Sequence, residues 1–303
     1  MIAVLTRRDI VAAPFAAMLL STPAFAQEKL KVIASFSIIA DLVKNVGGER
    51  IEVVSLVGPN GDAHVYNPTP ADAKKVAEAK AVFVNGLGYE GWIGRLVRAS
   101  GTKAATVVVS KGVKPREQTG AQAGHDHGKI DPHAWQSVAN VKLYVANVRD
   151  GLIAADAAGK SAYETNAGAY LAKLDALEAD VKAAIARIPA DRRRVVTTHN
   201  AFGYFTDAYS VQFFAPQGVS TEAEASARDV ARLITQIRQR NISGIFLENI
   251  TDPRLIERIA KETGAKVGGV LYSDALTDEK GPAPTYIDLI RHNIKTLGAA
   301  LAN

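Results

Sequence analysis

The stretch SAYETNAGAYLAKLDALEADVKAAIARI, residues 161–188, carries Tyr163, Ala167, Tyr170, Leu171, Leu174, Leu177, Val181, Ala184, Ile185 and Ile188 at helical spacing, with Glu164, Lys173, Asp175, Glu178, Asp180 and Lys182 between them. Side chains three and four residues apart share a helix face, so this pattern predicts one long amphipathic helix. Pro189 ends it, because proline has no N–H with which to continue the ladder. At ~1.5 Å per residue the rod spans roughly 40 Å, about the diameter of a small domain. A stiff element of that length in mid-chain predicts two units tied together by it.

The flanking sequence agrees. Before the helix, residues 31–36, 51–57, 81–85 and 106–109 are β-rich runs that alternate with helical patterns over 38–46, 70–79 and 92–99. After it, residues 195–198, 211–214, 245–248 and 267–272 read as strands, and 229–240, 253–263 and 286–301 as helices. Alternating strand and helix predicts an α/β fold, with two parallel-sheet domains covered by helices and joined by one long rigid helix. The expected units are residues 27–158 and 190–303, with 159–189 as the link. Residues 114–129, rich in Gly, Gln and His and without periodicity, read as a mobile surface loop.

Residues 1–26 read as a secretory signal peptide cleaved after Ala26. Arg7 and Arg8 precede an apolar run from Ile10 to Leu20, and Ala24-Phe25-Ala26 is a small-residue cleavage pattern. The apolar run is far shorter than the ~20 residues of a spanning helix. The chain has no cysteine, so neither a disulfide framework nor a thiolate metal site is available, and no lipid-accepting cysteine follows the signal. A free periplasmic protein is the expectation. With the signal go two arginines and one aspartate, and the formal charge falls from +5 to +4. That mild excess, without a basic stripe or interleaved aromatics, gives no reason to invoke nucleic acid.

In open parallel sheets, ligands bind outside the carboxyl ends of the strands. His199 closes the run Val195-Val196-Thr197-Thr198, and Asp274 follows Val270-Leu271-Tyr272-Ser273. His64 lies in the loop after the second strand, ahead of Asn67-Pro68-Thr69-Pro70. His133 lies in Asp131-Pro132-His133-Ala134-Trp135, whose following residues begin a helix. Three imidazoles and a carboxylate suit a divalent first-row metal where thiolate is absent; they fit tetrahedral zinc, and a bidentate Asp274 would add a fifth donor and admit manganese. Each residue also has an ordinary reading, the histidines as solvated loop side chains and Asp274 as a cap or turn residue. His292, inside the last helical pattern, reads as a helix-surface residue.

Four segments, His64-Val65-Tyr66-Asn67-Pro68-Thr69-Pro70, Asp131-Pro132-His133-Ala134-Trp135, Thr198-His199-Asn200-Ala201-Phe202-Gly203-Tyr204-Phe205 and Leu271-Tyr272-Ser273-Asp274-Ala275-Leu276, resemble the signature segments of the zinc and manganese solute-binding proteins of ABC importers. Residues 218–228, GVSTEAEASAR, are also similar. The resemblance covers nearly the whole mature chain, in the family's order. It implies a metal held between the two domains by His64, His133, His199 and Asp274, with delivery to an ABC transporter membrane permease. A monomer is the expectation, with a periplasmic metallochaperone as a further candidate partner.

The third position bears on the metal. Manganese-selective members often carry glutamate there, so by resemblance His199 tilts the expectation toward Zn²⁺, although members with three histidines and one aspartate accept Mn²⁺ as well. Of the long His-rich loop common in zinc-specific members, only His125-Asp126-His127 remains, a candidate accessory metal-capture motif. Asn200 stands where aspartate is common and is a candidate for orienting His199 as a neutral acceptor. Glu222 and Glu224 precede a helix, where acidic side chains favour the positive end of its dipole; Glu222 is also a candidate for a layer behind the metal ligands or for permease docking. A catalytic zinc hydrolase would need an open coordination position, and no His-Glu-x-x-His helix occurs. A metal-dependent surface adhesin would share the fold, but lacks an anchor cysteine here.

Overall fold

Val32, Ile33, Ala34 and Phe36 are all buried, in a strand, β1 (Leu30–Phe36), that is covered on both faces. The computed structural model describes residues 28–118, 130–240, 242 and 244–302. The expected signal peptide and residues 119–129 of the expected loop lie outside these. Among the described residues no helix is long and apolar enough to cross a membrane.

From β1 the chain continues through α1 (Ser37–Gly47), β2 (Ile51–Val57), α2 (Pro70–Glu78), β3 (Ala81–Val84), α3 (Ile93–Ser100) and β4 (Ala105–Val108). These strands form a parallel sheet in the order β2-β1-β3-β4. A short antiparallel pair follows, β5 (Arg116–Glu117) with β6 (Ile130–Asp131). Next come α4 (Val138–Ala155) and the long helix α5 (Lys160–Ala186). The second sheet, again parallel, has the order β10-β9-β7-β8. Its elements are β7 (Arg194–Val196), α6 (Gly203–Tyr209), β8 (Gln212–Phe214), α7 (Ala227–Arg240), β9 (Gly244–Glu248), α8 (Arg254–Thr263), β10 (Lys266–Leu271) and α9 (Tyr286–Leu301).

The expected architecture is present: two parallel-sheet α/β domains with a 27-residue helix linking them. Helix α5 buries Tyr163, Ala167, Tyr170, Leu174, Leu177, Val181 and Ile185, the stripe its periodicity predicts, against α1, α4 and α9. Each large side chain in it contributes about 1.5–3 kcal/mol by leaving water. Because α1 belongs to the first half and α9 to the second, this one stripe fastens both.

Three elements go beyond the sequence reading. Helix α4 runs 18 residues, and beyond its start its alanines and half-exposed apolar residues leave little periodic contrast. Helix α6 has seven residues, too few for a period to register. The expected loop over residues 114–129 is tied at both ends, since Arg116 and Glu117 pair with Asp131 and Ile130.

In each sheet the strand order reverses once, between β1 and β3 and between β7 and β9. Such reversals open a crevice at the carboxyl ends of the strands. The two crevices face each other, and hydrogen bonds cross between the halves. Asn60 N–H donates to Leu276 O at 2.8 Å, Leu276 N–H to Ser37 Oγ at 3.0 Å, and Tyr286 Oη to Trp135 O at 2.8 Å.

A fourth such bond carries a pH dependence. Asp41 on α1 accepts the N–H of Tyr286, the first residue of α9, at 2.9 Å. Burial pushes its carboxyl up to about 6, against the lowering effect of the Tyr286 N–H and Asn45. The folded state therefore favours the protonated form, and this stabilisation is complete below the unfolded value near 4 and is lost as pH rises through about 6. Asp41→Asn, permanently neutral, is expected to stabilise the protein by about 1 kcal/mol at pH 8, discounted for its partial exposure, and by almost nothing at pH 4. Urea titrations of both proteins at the two pH values test this; equal effects would contradict it.

Candidate metal centre

His64, His133, His199 and Asp274 meet where the two crevices face each other, all buried, with one donor atom of each lying within 4.8 Å of the others. Each arrives on a separate loop. His64 follows β2 in a segment held by Trp92, whose Nε1–H donates to Ala63 O at 2.8 Å, and by Tyr66, whose hydroxyl donates to Asp72 at 2.8 Å. Asp72 also completes a reciprocal cap with Thr69 that starts α2, which fixes where the loop must end. His133 follows β6, His199 lies three residues past β7, and Asp274 lies three past β10.

Asp274 Oδ2 is the centre of the cluster. It stands 3.1 Å from His64 Nε2, 3.2 Å from His199 Nε2 and 3.6 Å from His133 Nε2, and the Nε2 atoms of His64 and His133 are 3.3 Å apart. Ligand bonds of about 2.0–2.2 Å in a tetrahedron place donor atoms about 3.3–3.6 Å apart. These four separations lie near the edges of such a tetrahedron, and the donor set suits a small divalent cation.

Two further carboxylates hold the imidazoles in this orientation. His133 Nδ1 lies 2.8 Å from Asp131 Oδ1, which also accepts the His133 backbone N–H at 3.0 Å. Glu248, the last residue of β9, accepts the backbone N–H groups of Thr198 and His199 on Oε1 at 2.7 and 2.9 Å. Its Oε2 stands 2.6 Å from His199 Nδ1, close but out of line for a straight hydrogen bond. With each Nδ1–H facing a carboxylate, Nε2 is left as the atom that offers a lone pair to the cleft.

Electrostatics follow from this packing. Burial alone would lower the proton affinity of His199, but Glu248 and then Asp274 outweigh it and push the imidazole well above its usual range. Burial is likewise overcome at His133, which Asp274 and Asp131 raise. His64 has no such compensation, and burial leaves it lowered. Burial would raise the Asp274 carboxyl, yet the charges of His133 and His199 hold it well below the usual range. The carboxylates that favour a positive charge on His133 and His199 favour a cation in the same place, while burial alone disfavours charge at His64.

Of the remaining sequence candidates, Asn200 does not occupy the position behind His199. Its backbone N–H donates to Gly218 O at 2.9 Å, and Glu248 stands at His199 Nδ1 instead. The reason is topological: β9 lies beside β7, which brings in a carboxylate 49 residues away. Glu222 and Glu224 are exposed. His125, Asp126 and His127 lie outside the described residues. His292 is on α9, with Nε2 3.0 Å from Val270 O. Sequence reading missed Glu248, whose only local signal is an acidic residue at the end of an apolar strand, and it quoted Asp131 without a role.

Comparison with known proteins gives the family. The family model described as "ZnuA: Zinc-uptake complex component A periplasmic" matches residues 32–300. The chain is 34% identical over 282 residues to the iron-binding protein YfeA of Yersinia pestis, covering 93% of this chain and 89% of that one. It is 32% identical to the manganese-binding lipoprotein MntA of Halalkalibacterium halodurans, covering 91% and 89%. Among solved structures, the periplasmic zinc binding protein TroA from Treponema pallidum superposes with a TM-score of 0.83 at 32% identity, covering 91% of this chain and all of that one. On this match along nearly its whole described length, the chain belongs to the periplasmic zinc-uptake component A family, whose members are substrate-binding proteins of ABC transporters and not enzymes.

Proposed function

We propose that this protein captures Zn²⁺ in the periplasm on His64, His133, His199 and Asp274 and delivers it to the membrane permease of an ABC importer. The observation that carries the reading is the convergence of the four donors, four of whose six separations are 3.1–3.6 Å, close to the edge lengths of a tetrahedron around zinc, with all of them inside 4.8 Å. The rod α5 and the hydrogen bonds between the halves limit hinge closure, so loop and side-chain movement carries capture and release. The protein works as a monomer, with metal supplied from solution or by a periplasmic metallochaperone.

Manganese, alone or beside zinc, is the second reading. Asp274 Oδ1 is buried without a hydrogen-bond partner among the described residues, and as a second carboxylate donor it would make the five-coordinate site that manganese accepts. Titrating the chelator-stripped protein with each ion and then with both tests the choice. Zinc is expected to displace manganese at one site per chain; equal competition would establish a dual carrier, and no stoichiometric binding would end the proposal.

The same titration repeated from pH 5.5 to 8 has an expected sign. Protons on His133 and His199 compete with the ion, so apparent affinity rises with pH, by about tenfold per unit for each proton displaced. A flat profile would mean that the imidazoles do not bind the ion.

Glu248→Gln tests the carboxylate behind His199. The amide can still receive the two backbone N–H groups, but its NH₂ then faces Nδ1 and favours the tautomer with the proton on Nε2. Zinc affinity is expected to fall about 10–100-fold with little change in thermal stability. An unchanged affinity would show that His199 is held by its backbone alone.

A further inference from the structure

Tyr89 is buried beside the cluster, with its ring against His64 and His133. Its ring is enclosed by four others: His64 at 4.5 Å, Phe36 and Trp135 at 4.9 Å, and His133 at 5.9 Å between centroids. A ring so confined points its hydroxyl in one direction. Yet that hydroxyl has no hydrogen-bond partner among the described residues, and neither has Asp274 Oδ1. A phenol is a donor at neutral pH, and the carboxylate that its hydroxyl interacts with is Asp274.

The backbone that delivers Tyr89 is strained. Gly86, Leu87 and Gly88 all have positive φ, at 84°, 55° and 83°. Glycine adopts that region freely, but leucine does so only where the surroundings enforce it. Here Glu90 enforces it. Its buried carboxylate accepts the N–H groups of Asn85 at 2.6 Å and Gly86 at 3.1 Å and the hydroxyl of Ser35 at 2.6 Å. A loop locked in this way, ending in a caged ring with an unused donor, is built to hold that donor in place.

We infer that Tyr89 sets the coordination number of the site: with a cation bound, its hydroxyl donates to Asp274 Oδ1, leaves Oδ2 as the one carboxylate atom on the ion, and so favours four-coordinate zinc over manganese. The inference rests on the metal-site reading above. Asp274 Oδ2 already faces the three imidazoles, so Oδ1 is the atom that must either join the metal or find a donor. A carboxylate oxygen buried with neither is costly, and a hydrogen bond to a charged group is worth about tenfold or more in binding. Ser273 Oγ, also buried without a partner, is the rival donor.

Tyr89→Phe retains the ring and removes only the hydroxyl. Zinc and manganese affinities of the wild type and the variant, measured by competition, are compared with the visible absorption of their Co²⁺ forms, which is intense for four-coordinate and weak for five-coordinate cobalt. The expected result is an intense wild-type spectrum, a weaker one for Tyr89→Phe, and a zinc-to-manganese affinity ratio lowered about tenfold in the variant. An unchanged ratio and spectrum would overturn the inference, as would Ser273→Ala producing the shift in its place. If the wild type binds no cation, the site reading itself fails and this inference with it; wild-type binding with no effect of Tyr89→Phe sinks the tyrosine alone. On the unmodified protein, the zinc-minus-apo infrared difference gives the same test without a variant: widely split carboxylate stretches of a monodentate Asp274 are expected, and the narrow splitting of a chelating one would overturn it.

Discussion

Replacing Asp274 by alanine is expected to weaken zinc binding by about two to three powers of ten while leaving the fold intact. A four-ligand zinc site is worth about 10–16 kcal/mol at neutral pH, so one ligand of four accounts for roughly 3–4 kcal/mol, at 1.4 kcal/mol per tenfold. Asp274 is the ligand to remove because its Oδ2 lies within 3.1–3.6 Å of all three imidazole Nε2 atoms. The variant has a second signature. Without the carboxylate, His133 and His199 lose one of the charges that raise their proton affinity, so the pH dependence of residual binding should shift to lower pH. Competition against a chromophoric chelator measures both quantities. Wild-type affinity in the variant would place the metal elsewhere.

Trp135→Ala is expected to cost about 3–5 kcal/mol of stability, the range for deleting a fully buried large aromatic side chain. In a protein of this size that lowers the melting temperature by about 10 °C. Trp135 is completely buried, with ring neighbours Phe36, Tyr89 and His133, and its Nε1–H crosses to Ser273 O at 2.8 Å beside Asp274. It is therefore packing for both halves as well as a tie on the loop that carries the carboxylate. Trp135→Phe keeps most of the packing and loses the tie, so it should cost less stability and still reduce metal affinity. Calorimetry of the metal-free proteins separates the two effects. A loss below about 1 kcal/mol for Trp135→Ala would mean that the surrounding rings collapse into the space.

The arrangement of the site explains why parts of it were legible beforehand and others were not. The long helix could be read because one face of α5 is buried along its whole length, which imprints a period on 27 residues. The central strands β1, β3, β7 and β9 could be read because they are buried on both faces, which demands runs of Val, Ile, Leu and Phe. The four convergent side chains stand just beyond strands or at turn residues, where chain order alone suggests a crevice. Helix α6 could not be read, since seven residues give no period.

What the sequence by itself determined is the α/β class, the two-part layout and the connecting rod, because these follow from local pattern; the four convergent residues stand at strand ends and turns, and it is the resemblance of their segments to the family's signature segments that singled them out as a set. What only the tertiary structure decided is the placement of Glu248 and Tyr89, whereas Asp131 lies two residues before His133 in the same segment. Glu248 reaches His199 because β9 pairs with β7, and Tyr89 reaches the cluster because a strained loop after β3 is locked by Glu90. Both depend on which strands become neighbours, a long-range choice made by burial of the whole sheet and not written in the residues around either side chain. The physical reason is one of range: periodicity reports a residue's own element, while the partner that orients a ligand or satisfies a buried polar atom is chosen by packing between elements far apart in the chain.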